Sequence, residues 1–205
     1  MMPRRRRWIW LSCVALMFHV AAIHAEELPE RLAATLERYA GLDGFSCEFS
    51  QSLKFHDGMT QAYEGDLAVL PPKRFRWRYR LPYEQEFVGD GRRLWHYESD
   101  LMQVRVLYDL EMVDPVVMQL LAGRVAVSDI QLIEADDTAQ RYHIRVGESV
   151  DVWLGLAEGG LIAYIETVDM LGNRNHMRFN HWQFSPPAEE LFVFKLPDGV
   201  DVVEE

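Results

Sequence analysis

Apolar residues along this chain recur with two different periods. Leu28, Leu32, Leu36 and Tyr39 fall at helical spacing with Gly41 as a stop, so the pattern predicts an amphipathic helix over Leu28–Ala40. Its apolar stripe needs an apolar surface to lie on. From Phe45 the period is two. Phe45, Cys47, Phe49, Gln51, Leu53 and Phe55 alternate with mostly polar residues up to the turn at His56-Asp57-Gly58. Tyr63, Gly65, Leu67 and Val69 repeat the pattern, and Phe75, Trp77, Tyr79 and Leu81 repeat it again. Asp90-Gly91 is a hairpin signal between strands over Glu84–Gly89 and Arg92–Glu98, and Asp100 turns the chain into Leu101–Leu107. Consecutive strands with short turns make an antiparallel meander.

Asp114-Pro115 reads as the cap and first residue of a second, short and apolar helix, Asp114–Ala122, with Gly123 as its stop. Strands then resume over Gln140–Val146, Val152–Leu156, Leu161–Val168, Arg174–Phe184 and Leu191–Phe194. The expected class is mainly β with two helices. One face of the sheet is aromatic-rich, and the helices are suited to plug or cover it.

The N-terminus changes where this domain begins. Arg4 to Arg7 precede an apolar run from Trp8 to Ile23, and Ala21-Ala22-Ile23-His24-Ala25 leads into Glu26-Glu27. A basic, an apolar and a small-residue region in that order read as a secretory signal over residues 1–25, cleaved after Ala25. The apolar run falls short of the roughly 20 residues of a membrane span. Cys13 sits inside that run behind Trp10-Leu11-Ser12, a poor context for acylation, so a secreted, lipid-free domain over residues 26–205 is expected. The net charge is −11, and loss of the leader's arginines makes it more acidic still. That argues against nucleic-acid binding, whose affinity comes mainly from neutralising phosphates. Cys47 is left as the single cysteine, so no intramolecular disulfide forms and the core alone must hold the fold.

Candidate chemistry adds little. The chain has no G-x-S-x-G, H-E-x-x-H, C-x-x-C or Gly-rich phosphate loop. Nothing calls for a cofactor or a metal; His176 and His181 are five apart in one expected strand and point to opposite faces. Acidic residues such as Glu84, Glu86, Asp90, Glu111, Asp114, Glu134, Asp136 and Asp137 are scattered. A carboxylate pair for glycoside cleavage stays open, but nothing singles one out. The excess of large apolar side chains at period two fits an ordinary β core or a sheet that keeps a cavity for an apolar ligand. In Lys73–Arg80, basic and aromatic residues alternate; the alternation is the strand period. Phe75, Trp77 and Tyr79 should face inward, with Arg74, Arg76, Arg78 and Arg80 outward.

The chain resembles the LolA family of periplasmic lipoprotein carriers. The resemblance rests on Gly65-Asp66-Leu67, Pro72, Phe75-Arg76-Trp77, Gln85, Asp90-Gly91, Leu94-Trp95, Tyr97, Asp100-Leu101 and Gln103-Val104. Upstream, Phe45, Phe49 and Gln51 fit, as do Pro115 with Leu120-Leu121 and the closing Phe192–Val202. It implies an unclosed antiparallel β-barrel with a helical lid over an apolar cavity, and a monomer without catalysis. The implied partners are acylated lipoproteins, a LolCDE-type inner-membrane release complex and a LolB-type outer-membrane receptor. Parity and family register place Phe49, Leu67, Phe75, Trp77 and Phe87 on strands, and Leu32, Leu36, Met118 and Leu121 on helices, against the acyl chains. By their charge, Arg74, Arg76, Arg78 and Arg80 read as a solubilising outer face or, in the sharper reading, as a docking stripe for an acidic partner. Pro71 stands where members of the family often carry an Arg that holds the lid shut, which points to another latch or a weaker closed state. The alternative is a LolA-like paralogue that binds another lipid or senses lipoproteins.

Overall fold

The computed structural model describes residues 28–108, 115–146 and 150–204. The expected leader, Glu111 and Asp114 lie outside them. Helix α1 spans Glu30–Ala40 and is followed by β1 (Phe45–Lys54), β2 (Thr60–Leu70), β3 (Arg74–Leu81), β4 (Gln85–Asp90), β5 (Leu94–Glu98) and β6 (Gln103–Leu107). Helix α2 (Pro115–Leu121) precedes β7 (Ile130–Asp136), β8 (Arg141–Val146), β9 (Val150–Ala157), β10 (Leu161–Val168), β11 (Arg174–Gln183) and β12 (Asp201–Glu204).

These strands form one 12-stranded sheet in the order β12-β6-β5-β4-β3-β2-β1-β11-β10-β9-β8-β7. The two end strands are far apart in that order, so the sheet is unclosed. Every pairing is antiparallel except β12 against β6, which is parallel. Extra residues break the register of β1–β11, β2–β3, β7–β8 and β9–β10. Such bulges bend strands and increase twist, which curls the sheet around one side. That concave side carries the core. Strand residues of β1 to β11 join Leu32, Leu36 and Tyr39 of α1 and Val117, Met118, Leu120 and Leu121 of α2 in a single buried cluster.

Local rules explain most elements. β1 alternates buried and half-buried positions from Phe45 to Ser52, as does the start of β3. In α1 the buried residues Leu32, Thr35, Leu36 and Tyr39 lie on one stripe, and the Gly41 N–H closes the helix on the carbonyls of Glu37 and Arg38. Gly65 lies opposite Phe49, whose ring a Cβ at Gly65 would approach to 2.6 Å. A side chain there would evict the aromatic ring from the inner face.

Three expectations need correction. Ile130–Asp136 is a strand that the pattern did not announce. A register break between Leu132 and Glu134 interrupts its alternation, leaving Ile133 exposed. Leu191–Phe194 is not a strand: Glu189–Phe192 is a 3-10 turn. Phe192 is buried against Ala68 and Leu70, and Phe194 stacks on Trp95 with centroids 5.3 Å apart. The neighbouring strands already have partners on both sides, so this segment packs across the sheet's outer face instead of joining it. The strand at the end of the chain is Asp201–Glu204, whose exposure on all four residues hides any alternation.

Candidate functional site

Strand register builds the concave face in rows. One row runs Phe45, Val69, Phe75, Gly89, Leu94 and Leu107 across β1 to β6. The next runs Cys47, Leu67, Trp77, Phe87, His96 and Arg105. Rings link along and between rows: Phe49 meets Trp77 at 5.6 Å and Tyr79 at 5.1 Å, Tyr79 meets Phe87 at 6.3 Å, and Phe87 stacks on His96 at 4.1 Å. All nine residues singled out for an acyl cavity come together here. Leu32, Leu36, Phe49, Leu67, Phe75, Trp77, Met118 and Leu121 are buried in the cluster, with Phe87 half-buried against it. In this state the apolar stripes of α1 and α2 occupy the concave side.

Polar ties hold α1 in place. Arg38 Nη1 donates to the Gly159 carbonyl at 3.0 Å, Thr35 Oγ1 donates to the Gly160 carbonyl at 3.3 Å, and the Ile162 N–H donates to the Tyr39 hydroxyl at 3.2 Å. Tyr39 is 1% exposed and meets Phe45, Trp182 and Phe184 edge-on. Burial pushes its phenol well above the usual range, so it stays neutral. Beyond α2, Gly123 has φ +61°, and a Cβ there would lie 2.1 Å from Ala40 Cα. The ends of the two helices touch backbone to backbone. These contacts of α1 are with Gly159, Gly160, Ile162 and Gly123, away in sequence from Pro71. The sequence pattern does not reveal them, because Thr35 and Arg38 read as ordinary helix-surface residues and Gly159-Gly160 as a turn.

The inner face is not wholly apolar. His96 and Arg105 lie opposite each other on β5 and β6. His96 is 8% exposed; burial pushes its imidazole down to about 4, with Glu98 opposing that shift and Arg105 assisting it. Arg105 Nη2 donates to Glu98 at 2.7 Å, and Gln85 Nε2 donates to the same carboxylate at 3.3 Å. Burial works against the Glu98 carboxylate, but these hydrogen bonds and the nearby charges outweigh it and hold its pKa below the ordinary value. The available signal for both is parity: His96 lies two residues from Leu94, and Arg105 two from Leu107, on the inward side of β5 and β6. Cys47 is buried beside Leu67, and burial pushes its thiol up, which makes it a packing residue and a poor nucleophile.

On the outer face the four arginines of β3 all meet acids of the same chain. Arg74 pairs with Glu189 at 3.3 Å, Arg76 with Glu86, Arg78 with Asp66 at 2.9 Å, and Arg80 with Asp66 at 3.3 Å and Glu48 at 3.9 Å. The stripe is a ladder of alternating charge, neutralised from within. Strand register sets Asp66 directly opposite Arg78, which a count of cations along β3 does not reveal. Among the described residues no group of three His, Cys, Asp or Glu is placed to hold a metal ion. No described helix is long and apolar enough to cross a membrane.

The family model of outer membrane lipoprotein carrier protein LolA matches residues 40–195. An outer-membrane lipoprotein carrier protein of Halorhodospira halophila is 30% identical over 204 residues, covering 97% of this chain and 96% of that one. Its namesake in Xanthomonas axonopodis pv. citri is 30% identical over 181 residues, covering 80% and 83%. Among solved structures, an uncharacterized conserved protein from Thermus thermophilus superposes with a TM-score of 0.53 at 13% identity, covering 85% of this chain and 97% of that chain; that likeness speaks to fold alone. With a family match over most of its length and a fold of one curled sheet around two helices, the chain belongs to the LolA family.

Proposed function

We propose that this protein carries acylated lipoproteins through the periplasm without any chemistry of its own. It would accept them from a LolCDE-type release complex and pass them to a LolB-type receptor. The observation that carries the reading is the aromatic concave face covered by an amphipathic helix, α1, tied to the turn before β10 and to β10, and by the apolar α2. A buried methylene is worth ~0.8 kcal/mol, so a single 16-carbon chain exposed to water costs on the order of 12 kcal/mol and needs a shield. A site that recovered all of this would not release its cargo. Here α1 and α2 occupy the acyl site when it is empty, and displacing them offsets much of the gain and leaves an affinity suited to hand-over. The carrier names of its relatives support the same reading.

The direct experiment purifies the full chain from periplasm and identifies co-eluting species by mass spectrometry. Triacylated lipoproteins are expected, with hydrogen exchange in α1 and α2 rising on loading. A free lipid in their place would favour a paralogue with another cargo. Equal exchange in the empty and loaded protein would remove the displaced-helix mechanism.

A further inference from the structure

Among the described residues, one row of the concave face carries three buried nitrogens without hydrogen-bond partners: Trp77 Nε1–H, His96 Nε2, which donates in the Nε2–H tautomer, and Arg105 Nε–H. They sit on one row, on β3, β5 and β6, with Phe87 between the first two. Trp77 is 0% and His96 8% exposed. Leaving a buried donor unmatched is costly, and an apolar side chain at any of these positions would avoid the cost. Strands are about 4.8 Å apart, so Trp77 and His96 are separated by about 10 Å and His96 and Arg105 by about 5 Å. The corner has no net charge to offer. Glu98 takes up the charge of Arg105 at 2.7 Å, and the buried imidazole is neutral at neutral pH. It offers donors and no free cation, which suits uncharged carbonyl oxygens and disfavours a carboxylate or phosphate.

We infer that Trp77, His96 and Arg105 form a subsite for the ester and amide carbonyls at the head of an S-diacylglyceryl, N-acyl cysteine, so that the hollow selects neutral acyl heads over anionic lipids. The inference rests on the carrier reading and extends it. The acyl chains displace the helices, and the head satisfies donors that the closed state leaves unmatched. Hydrophobic burial then supplies the affinity and this row the discrimination.

The test uses a synthetic triacylated cysteine peptide, its ether-linked analogue without ester carbonyls, and free palmitate, each competing with a fluorescent acyl probe on the full chain. The unaltered protein should prefer the ester peptide to the ether analogue by roughly 3- to 10-fold, the scale of one or two hydrogen bonds. His96→Phe, and separately Trp77→Phe, should each shrink that preference by weakening the ester peptide alone. Equal affinity of ester and ether forms for the unaltered protein overturns the subsite while leaving the carrier reading intact. Palmitate binding as tightly as the ester peptide overturns it as well. Failure of both peptides to compete would instead remove the carrier reading on which the inference stands.

Discussion

Tyr39→Phe separates the stability of the lid from the stability of the fold. In the closed state the Tyr39 hydroxyl accepts the Ile162 N–H at 3.2 Å in a fully buried setting. Deleting the oxygen leaves that N–H unmatched, at a cost of about 1–3 kcal/mol. The ring's packing against Phe45, Trp182 and Phe184 is unchanged. Once α1 has moved away, water reaches the N–H and the substitution costs nothing. The variant therefore penalises the closed state selectively, and the open state gains by the same amount. Apparent affinity scales with the fraction of open molecules, so an acyl probe should bind roughly 5- to 150-fold tighter, the factor that matches 1–3 kcal/mol. The burial of Leu32 and Leu36, each worth about 1.5–3 kcal/mol, still keeps the lid mostly shut, so the gain should not saturate. The assay pairs probe titration with urea unfolding and hydrogen exchange at Ile162 and along α1. Lower stability with unchanged or weaker probe binding would falsify the reasoning, because Tyr39 would then hold the core together and not the lid.

Acid sensitivity should trace to His96. Its folded pKa of about 4 lies below the ordinary 6.5. Its contribution is thus intact above pH 6.5 and is lost as pH falls from 6.5 to 4, by about 3 kcal/mol in total. Urea unfolding at stepped pH should show that slope in the unaltered protein and lose it in His96→Phe; parallel curves would assign the slope elsewhere. Gly123→Ala places a methyl at φ +61° and against the Ala40 backbone, so it should cost about 1–2 kcal/mol in backbone strain alone and raise exchange at the end of α1. An unaltered melting temperature would show that the helices do not meet as described. Asp66→Asn removes the acid shared by Arg78 and Arg80 and should change stability by less than about 1 kcal/mol. If the stripe docks an acidic receptor, hand-over should quicken and grow more salt-sensitive; an unchanged rate leaves the stripe as a solubilising face.

The apolar rows were legible because parity along β1 and β3 is clear, and a residue such as Trp77 can be placed by counting twos from Phe75. Helix α1 was legible from its helical spacing, and α2 from its start and stop signals at Pro115 and Gly123. What escaped depended on partners distant in sequence. The tie from Arg38 to Gly159 requires α1 to lie beside the turn before β10, and no local pattern records that neighbour. The neutralised arginines escaped in the same way, since Glu189 reaches Arg74 from the far end of the chain. β7 was hidden by its own bulge, and Phe192 imitated a strand residue while serving as an anchor on the sheet's back.

The position of β1 at the middle of the sheet sets an order of assembly. One edge of β1 pairs with β2, its neighbour in sequence; the other pairs with β11, and Gln51 reaches Asn175 across 124 residues of chain. The β1–β6 meander is built from local pairs and can form early, whereas the β1–β11 seam must wait for nearly the whole chain. The ties of α1 to Gly159, Gly160 and Ile162 wait as well. A chain emerging N-terminus first therefore passes through a stage with its aromatic face formed and its cover unlatched. That half-built sheet is the species most exposed to stray acyl chains and to other nascent sheets. Protection of the hollow and competence to carry cargo arrive together, with the last long strand.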